Sequence, residues 1–523
     1  MPIGPVPPSA TKIQEMAESF GFTMSDEEAA LYSEMMAGTV KSYRRLDAMQ
    51  ESKPPVKYPR AGSYRPGPEE DPYNAWYVKG EIQGSGEGVL AGKRVGIKDA
   101  ICVAGFPMIN GAKGMEGYIP DIDATVVTRV LDAGGTILGK TNSEDCSFSG
   151  GSHTSAFGPV RNPHKPTHST GASSNGNGAA VAAGDIDMSI GGDQGGSIRI
   201  PASWSGIVGH KPTYGLVPYT GAMMIEMTMD HLGPMADTVE NTARMLTAIA
   251  GEDPLDPRQR GLIPAGLDMD YVTGLDAGCK GVRIGVLKEG FDQGAGEESW
   301  GDTGLPPGDA VVSDSVRAAV DRLAAAGAEV TEVSNPRHED ALHVWLPICV
   351  EGAQAVMLKG NNTGTNWRGF YNTQLLDNVA KSGRSRPNDM GVMVKYVLLF
   401  GEYMQSEYYN RYYAKAQNIR GQITQSYDDL LQSCDVLVMP STAILPTPIP
   451  DNDAPLRERI VRTLDMIHNT CQFDATGHPA VSVPCGVHDD LPIGCMIVGR
   501  HFEDAKVLQV AAALEAAKDW KSC

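Results

Sequence analysis

Apolar residues first recur at helical spacing, as Ile13, Met16 and Phe20, and then as Leu31, Met35, Val40, Tyr43 and Leu46. Between the two runs, Ser25-Asp26-Glu27-Glu28 has the form of a capping box, in which Ser25 and Glu28 each satisfy the other's free amide at a helix start. The pattern predicts a helical hairpin over residues 10–50. Two such helices bury little surface alone, so they are expected to pack on the rest of the protein or on a second copy. Residues 52–75 are rich in proline and glycine and polar throughout, as in a strap or linker. A helical domain with its linker is therefore expected over 1–75, and the main body over 76–523.

In the body the pattern alternates. RVGIKDAICVAG is a short apolar strand region, and ATVVTRVLDAGGTILGKT reads as helix, glycine stop and strand. GVRIGVLKEG reads as a strand, SDSVRAAVDRLAAAGAEVTEV again as helix, turn and strand, and CDVLVMPST as a short buried strand. Strands alternating with helices indicate an α/β fold, a large sheet flanked by helices. Residues 291–309 read as an exposed loop. Residues 340–430, rich in tyrosine and methionine, read as a mainly helical insert.

The formal charge of −20 changes the list of partners. Phosphate backbones and anionic lipid surfaces need a basic face, so neither nucleic acid nor a membrane is expected as a partner. The apolar runs fall short of the roughly 18 residues of a membrane span, and the first residues carry no signal-peptide core. The 9 cysteines are scattered without C-x-x-C spacing, which points to reduced thiols and a cytoplasmic location.

Glycine stands out, with 60 in 523 residues against about 7% in ordinary proteins. Fourteen fall between residues 150 and 215. They form two clusters, Gly171-Ala172-Ser173-Ser174-Asn175-Gly176-Asn177-Gly178 and Gly191-Gly192-Asp193-Gln194-Gly195-Gly196-Ser197. Consecutive amides in such turns can converge on an anion. No Gly-Lys-Ser/Thr follows, so a phosphate loop does not fit. The polar residues among the glycines are serines, and a serine nucleophile needs a base. His153, His164 and His168 lie in a polar loop and read as surface residues, and no G-x-S-x-G elbow surrounds Ser173 or Ser197. The alternative base is Lys98, which ends the apolar run Val95-Gly96-Ile97, where burial would lower its pKa. By itself, a lysine at a strand end is more often a paired or snorkelling residue. No H-E-x-x-H occurs and the histidines do not pair at ligand spacing, so no metal is expected.

Taken together, Val95-Gly96-Ile97-Lys98-Asp99 and the two glycine clusters, the second continuing Ile198-Arg199-Ile200-Pro201, resemble the amidase signature family. So do Val208-Gly209-His210-Lys211-Pro212, Asp230-His231-Leu232-Gly233-Pro234 and the closing Asp474-Ala475-Thr476-Gly477-His478-Pro479. The resemblance covers residues 75–520 and is nearest to bacterial amidases of nitrile degradation, which carry an N-terminal helical domain. It implies a large central mixed sheet and a Ser–cis-Ser–Lys triad that needs no cofactor. Matched by motif, Ser197 is the nucleophile, Ser173 the bridging serine after a cis peptide, and Lys98 the base. Ser174 is the rival for the bridge. The amides of Gln194, Gly195, Gly196 and Ser197 are expected to hold the oxyanion. Asp193 and Arg199 are expected either to orient the nucleophile turn or to form a structural ion pair. By position Phe148, Met229 and, less directly, Trp345 correspond to linings of the acyl pocket, which the helical insert is expected to shape; as plain apolar residues they are equally expected in the core.

Three positions depart from the family pattern, where glycine is usual at 172 and 175 and serine frequent at 177. Ala172 makes the backbone before the bridging serine less permissive, and Asn175 and Asn177 are expected to bring amide groups near the relay. The resemblance implies hydrolysis of a small carboxylic amide to acid and ammonia or amine. A carbamate hydrolase (urethanase) with the same triad, kept open by Asn175 and Asn177, is the alternative. Membership of a tRNA-dependent amidotransferase complex is disfavoured by the charge and the N-terminal helices. A homodimer through those helices is expected.

Overall fold

A computed structural model describes residues 4–291, 308–451 and 453–523. The expected loop at 291–309 lies, apart from its ends, outside the described residues. The chain divides into two compact units, Met1–Pro55 and Val56–Cys523.

The first unit is the expected helical pair, Ala10–Ser19 and Asp26–Asp47. Ser9 caps the first helix, and the second opens on the capping box of Ser25 and Glu28. Ile13, Ala17 and Ala29 are buried. The apolar positions Phe20, Leu31, Met35, Tyr43 and Leu46 are exposed.

The second unit begins ahead of residue 75, because the proline-rich strap is tied to the body. Tyr64 bridges Lys79, Lys57 and Tyr58 both bond the Asp132 carboxylate, and Arg60 pairs with Asp123. Proline and glycine count had marked the strap as a linker, but its polar side chains find partners.

The body is built on one sheet of 11 strands. They are β1 (Trp76–Gln83), β2 (Arg94–Lys98), β3 (Thr136–Thr141), β4 (Met188–Asp193), β5 (Val208–Lys211), β6 (His231–Ala236), β7 (Arg283–Leu287), β8 (Glu329–Val333), β9 (Val436–Pro440), β10 (Ala480–His488) and β11 (Leu491–Val498). Their order is β1-β3-β2-β4-β6-β5-β10-β11-β9-β7-β8. The sheet is mixed: β2 runs parallel to β3 and β4, β7 to β8 and β9, and the central pairs are antiparallel. β4, β5, β6, β9 and β11 are buried along their whole length. That explains why they read as continuous apolar or glycine-rich runs and not as alternating ones.

Helices cover the sheet where the pattern predicts them. Thr125–Asp132 buries Val126, Val127, Val130 and Leu131, and Ala310–Ala325 buries Val312, Val316, Ala319, Val320 and Leu323. The insert consists of helices Arg337–Ala353, Thr373–Ser385, Val392–Tyr408 and Arg411–Ser433. Against expectation, one stretch of it, Arg337–Leu358, is long and apolar enough to cross a membrane, but 67% of its apolar window is buried in the fold. That is the burial of a core helix. It is the only such helix among the described residues.

Candidate active site

β2, paired between β3 and β4, delivers Lys98 into the interior, where the residue is 1% exposed. Its Nζ lies 2.8 Å from Ser173 Oγ and 3.5 Å from the Gly192 carbonyl oxygen. Burial removes the water that would solvate an ammonium and lowers the pKa from 10.5 to about 7. It does so against the carboxylates of Asp193 and Glu144, which favour the charged form. Lys98 is thus about half neutral near pH 7.

The Ala172–Ser173 peptide is cis, as the resemblance implies, despite the alanine. Ser173 is fully buried, and its carbonyl accepts the Glu144 amide at 3.3 Å. The rival Ser174 is occupied elsewhere: its hydroxyl meets both the amide and the carbonyl of Gly192 at 3.2 Å. Its amide donates to the Ser197 carbonyl at 3.3 Å. Ser174 therefore fastens the two glycine clusters together, while Ser173 faces the lysine.

Ser197 follows β4 in a turn organised by one carboxylate. Asp193 accepts the amides of Gly196 (2.6 Å), Ile198 (3.0 Å) and Arg199 (3.4 Å), and the Arg199 guanidinium through Nε and Nη2, both at 3.0 Å. Burial alone would raise the Asp193 carboxyl, but Arg199 overrides it and holds the group well below the usual carboxylate range. The two expectations for this pair are therefore both met in one arrangement, an ion pair whose anion shapes the turn. Arg199 also reaches Asp474 at 2.7 Å and the Thr470 carbonyl at 2.9 Å.

This geometry corrects one expected oxyanion donor. The Gly196 amide already donates to Asp193, so it is not free for a substrate. Among the described residues no acceptor meets the amides of Gln194, Gly195 or Ser197. The Gln194 carbonyl accepts the Trp345 indole at 2.7 Å, and the Gly195 carbonyl accepts the Thr470 hydroxyl at 2.6 Å. Both glycines are dictated by space. A Cβ on Gly195 would stand 2.8 Å from the Trp345 ring, and Gly196, at φ +131°, turns its Cα face onto Thr470.

Ser197 opens on a cleft of about 390 Å³, walled by Phe148, Ile200, Ile225, Trp345, Leu464 and Ile467. Phe148 and Trp345 line it as expected. Met229 does not. It is fully buried in the core, its carbonyl oxygen 2.6 Å from His231 Nδ1, because β6 begins two residues later and draws it under the sheet. The insert contributes Trp345 and Cys349, residues 147–150 surround Phe148, and Leu464 and Ile467, which carry no sequence signal, add a further wall. A larger cavity of about 1330 Å³, lined by Met357, Val379, Leu398 and other insert residues, does not include Ser197.

Asn175 and Asn177 are also corrected. They belong to the buried helix Asn175–Ala182 and line no cleft at Ser197. Asn175 donates to Glu144 at 2.9 Å, and Asn177 joins the Thr141 hydroxyl (2.8 Å) to the Ile190 carbonyl (3.0 Å). Glu144, Thr470 and Asp474 are organising residues that sequence reasoning did not single out. The motif spacing could have suggested only Asp474.

Comparison with known proteins identifies the family. The Amidase family profile matches residues 73–508. An enantioselective amidase from Rhodococcus rhodochrous is 41% identical over 511 residues, spanning 97% of this chain and 95% of its own. One component of the glutamyl-tRNA(Gln) amidotransferase from Exiguobacterium sibiricum is 36% identical over 433 residues, 82% of this chain and 84% of its own. The crystal structure of a peptide amidase from Stenotrophomonas maltophilia superposes with a TM-score of 0.66 at 28% identity, covering 82% of this chain and 83% of that one. A buried lysine against a cis-serine, a glycine-built turn at Ser197 and matches across the whole body place this chain in the amidase signature family.

Proposed function

We propose that this amidase-family hydrolase cleaves a carboxylic amide with an apolar acyl group, through an acyl-enzyme on Ser197. The contact between Lys98 and Ser173 carries the reading. Neutral Lys98 takes the Ser173 proton as Ser173 takes that of Ser197, and Ser197 Oγ attacks the amide carbon. The oxyanion is met by the free amides of Gln194, Gly195 and Ser197, each worth about 3 kcal/mol in a site of this kind. The proton returns through Ser173 to the leaving nitrogen, the C–N bond breaks, and ammonia or amine departs. Water, activated through the same relay, then releases the acid.

The apolar walls of Phe148, Ile225, Trp345 and Ile467 suit an alkyl or aryl substituent, and an asymmetric wall supports discrimination between enantiomers, as in the Rhodococcus relative. No observation favours a carbamate, since Asn175 and Asn177 are turned away from the cleft. The similarity to the Rhodococcus amidase extends over more of the chain than that to the amidotransferase component, which supports a free small-molecule amide. Ammonia release from a panel of apolar carboxamides and carbamates tests the proposal. Ser197→Ala is expected to abolish turnover, and hydroxylamine is expected to intercept the wild-type intermediate as a hydroxamate. Residual activity near wild type in Ser197→Ala would refute the nucleophile.

We also propose that the enzyme is a cytoplasmic homodimer. All 9 cysteines are free thiols, 7 of them buried, which suits a reducing compartment. The exposed Phe20, Leu31, Met35, Tyr43 and Leu46 offer an apolar face for a second copy. A monomeric mass by light scattering would exclude the dimer.

A further inference from the structure

Away from the serine relay, three side chains far apart in sequence converge. Asp428 comes from the Arg411–Ser433 helix, His478 from the segment before β10, and His501 from the turn after β11. His478 Nε2 lies 3.1 Å from Asp428 Oδ1, and His501 Nδ1 lies 3.6 Å from the same oxygen. The three ligand atoms all lie within 4.8 Å of one another. Tetrahedral zinc, with ligands at about 2.0–2.2 Å, requires separations of about 3.3–3.5 Å between ligand atoms. Small adjustments would therefore suffice.

The outer nitrogens are also arranged for ligation. His501 Nε2 is 2.9 Å from the Thr476 carbonyl oxygen, which can only accept, so that nitrogen carries the proton and Nδ1 presents its lone pair to the cluster. His478 Nδ1 is 2.9 Å from the Thr476 hydroxyl, which can accept its proton and free Nε2 in the same way. One threonine thus sets the orientation of both imidazoles, the kind of outer contact that metal-binding histidines use. Asp428 and His501 line a cleft of about 1280 Å³, which leaves a fourth position facing solvent. The expectation that the histidines would not pair was a statement about spacing along the chain. The fold brings His478 and His501 together with their ring centroids 4.0 Å apart.

We propose that Asp428, His478 and His501 form a three-ligand site for a divalent transition metal, zinc by its donor set, which clamps the helical insert to the two chain segments flanking β10 and β11. Imidazole and carboxylate donors suit zinc and cobalt, whereas magnesium and calcium call for oxygen alone. Binding shifts the His478 proton from Nε2, which faces Asp428, to Nδ1, where the Thr476 hydroxyl accepts it, and adds coordinate bonds to three segments already joined by hydrogen bonds and ring contacts.

The test uses the full chain stripped with chelator and titrated with Co²⁺ or Zn²⁺. One equivalent of Co²⁺ is expected to give the intense visible bands of a low-symmetry four-coordinate site, and Zn²⁺ to displace it and raise Tm. Asp428→Asn and His501→Gln are each expected to weaken binding by at least about 100-fold. Thr476→Val, which removes only the outer hydroxyl, is expected to weaken it by about tenfold. Both ligand positions are part-exposed, so the variants should fold, and ammonia release from an amide verifies that they have. Absence of stoichiometric binding in wild type, or wild-type affinity retained in Asp428→Asn and His501→Gln, would overturn the proposal and leave a hydrogen-bonded His–Asp–His tie.

Discussion

Replacing Lys98 by methionine separates its chemistry from its cost. An ordinary lysine at 10.5 is neutral at pH 7 in about 3 × 10⁻⁴ of molecules, whereas one at about 7 is neutral in about half. Burial in β2 thus raises the supply of base about 10³-fold. The same difference corresponds to about 5 kcal/mol by which the site disfavours the ammonium. In the unfolded chain the amine keeps its proton up to about 10.5, in the folded protein only up to about 7. Between those values unfolding takes up a proton, so wild-type stability rises with pH there and is flat below. Lys98→Met lacks this dependence. It is expected to be more stable than wild type by up to about 5 kcal/mol at pH 6, with the difference vanishing near pH 10.5. Urea unfolding at pH 6, 8 and 10 measures it. In parallel, wild-type kcat/KM for an amide should rise about tenfold per pH unit below 7 and level above it, and Lys98→Met should be inactive. A rate that keeps rising to pH 10, or a methionine variant that turns over, would refute the assignment of Lys98 as a base tuned by burial.

Arg199→Met would leave Asp193 and Asp474 buried without their cation, at a cost of about 3–5 kcal/mol by urea denaturation. Because Arg199 holds the Asp193 carboxyl down, the stability it confers is present at neutral pH and lost as pH falls below the usual carboxylate range. In Arg199→Met the acid transition, followed by near-UV circular dichroism, should move to higher pH; an unmoved transition would deny the pair that role. Asn177→Ala should destabilise by about 1–3 kcal/mol, since the Ile190 carbonyl and Thr141 hydroxyl lose their partner. Its ratio of amide to carbamate turnover should stay at the wild-type value, and a changed ratio would return Asn177 to the substrate side.

The chemistry that was legible in the sequence is the chemistry written in contiguous residues. Lys98 ends an apolar run that reads as a buried strand, and the serines sit in glycine clusters, at the points where the chain turns into the helix Asn175–Ala182 and out of β4. Local sequence also carried the Ser25–Glu28 cap and the helix, turn and strand at 124–141. What stayed hidden depends on partners elsewhere in the chain. The carboxylate of Asp193 takes the Gly196 amide only because the turn folds back over it. Met229 resembled a pocket residue in composition, yet the start of β6 directs it into the core. Asn175 and Asn177 looked like additions to the relay until Glu144, Thr141 and Ile190 claimed their amides. Asp428, His478 and His501 belong to three elements, and no spacing rule along one chain could have joined them. Nor did composition foresee that Leu464 and Ile467 would wall the cleft, since their apolar side chains resemble any core segment.

The indole of Trp345 forms a wall of the cleft and also donates to the Gln194 carbonyl, on the same peptide plane as the Gly195 amide. An acceptor bonded on one side of a peptide polarises the donor on the other, and a fixed carbonyl fixes the direction of its N–H. In the proposed mechanism, the residue that walls the cleft would therefore also aim and strengthen a donor to the developing negative charge. Selectivity and rate would then be mechanically coupled through one side chain. Enlarging the cleft by trimming Trp345 would slow even substrates that already fit, so variation in acyl preference is more freely available at Phe148 and Ile467, where the walls carry no such second duty.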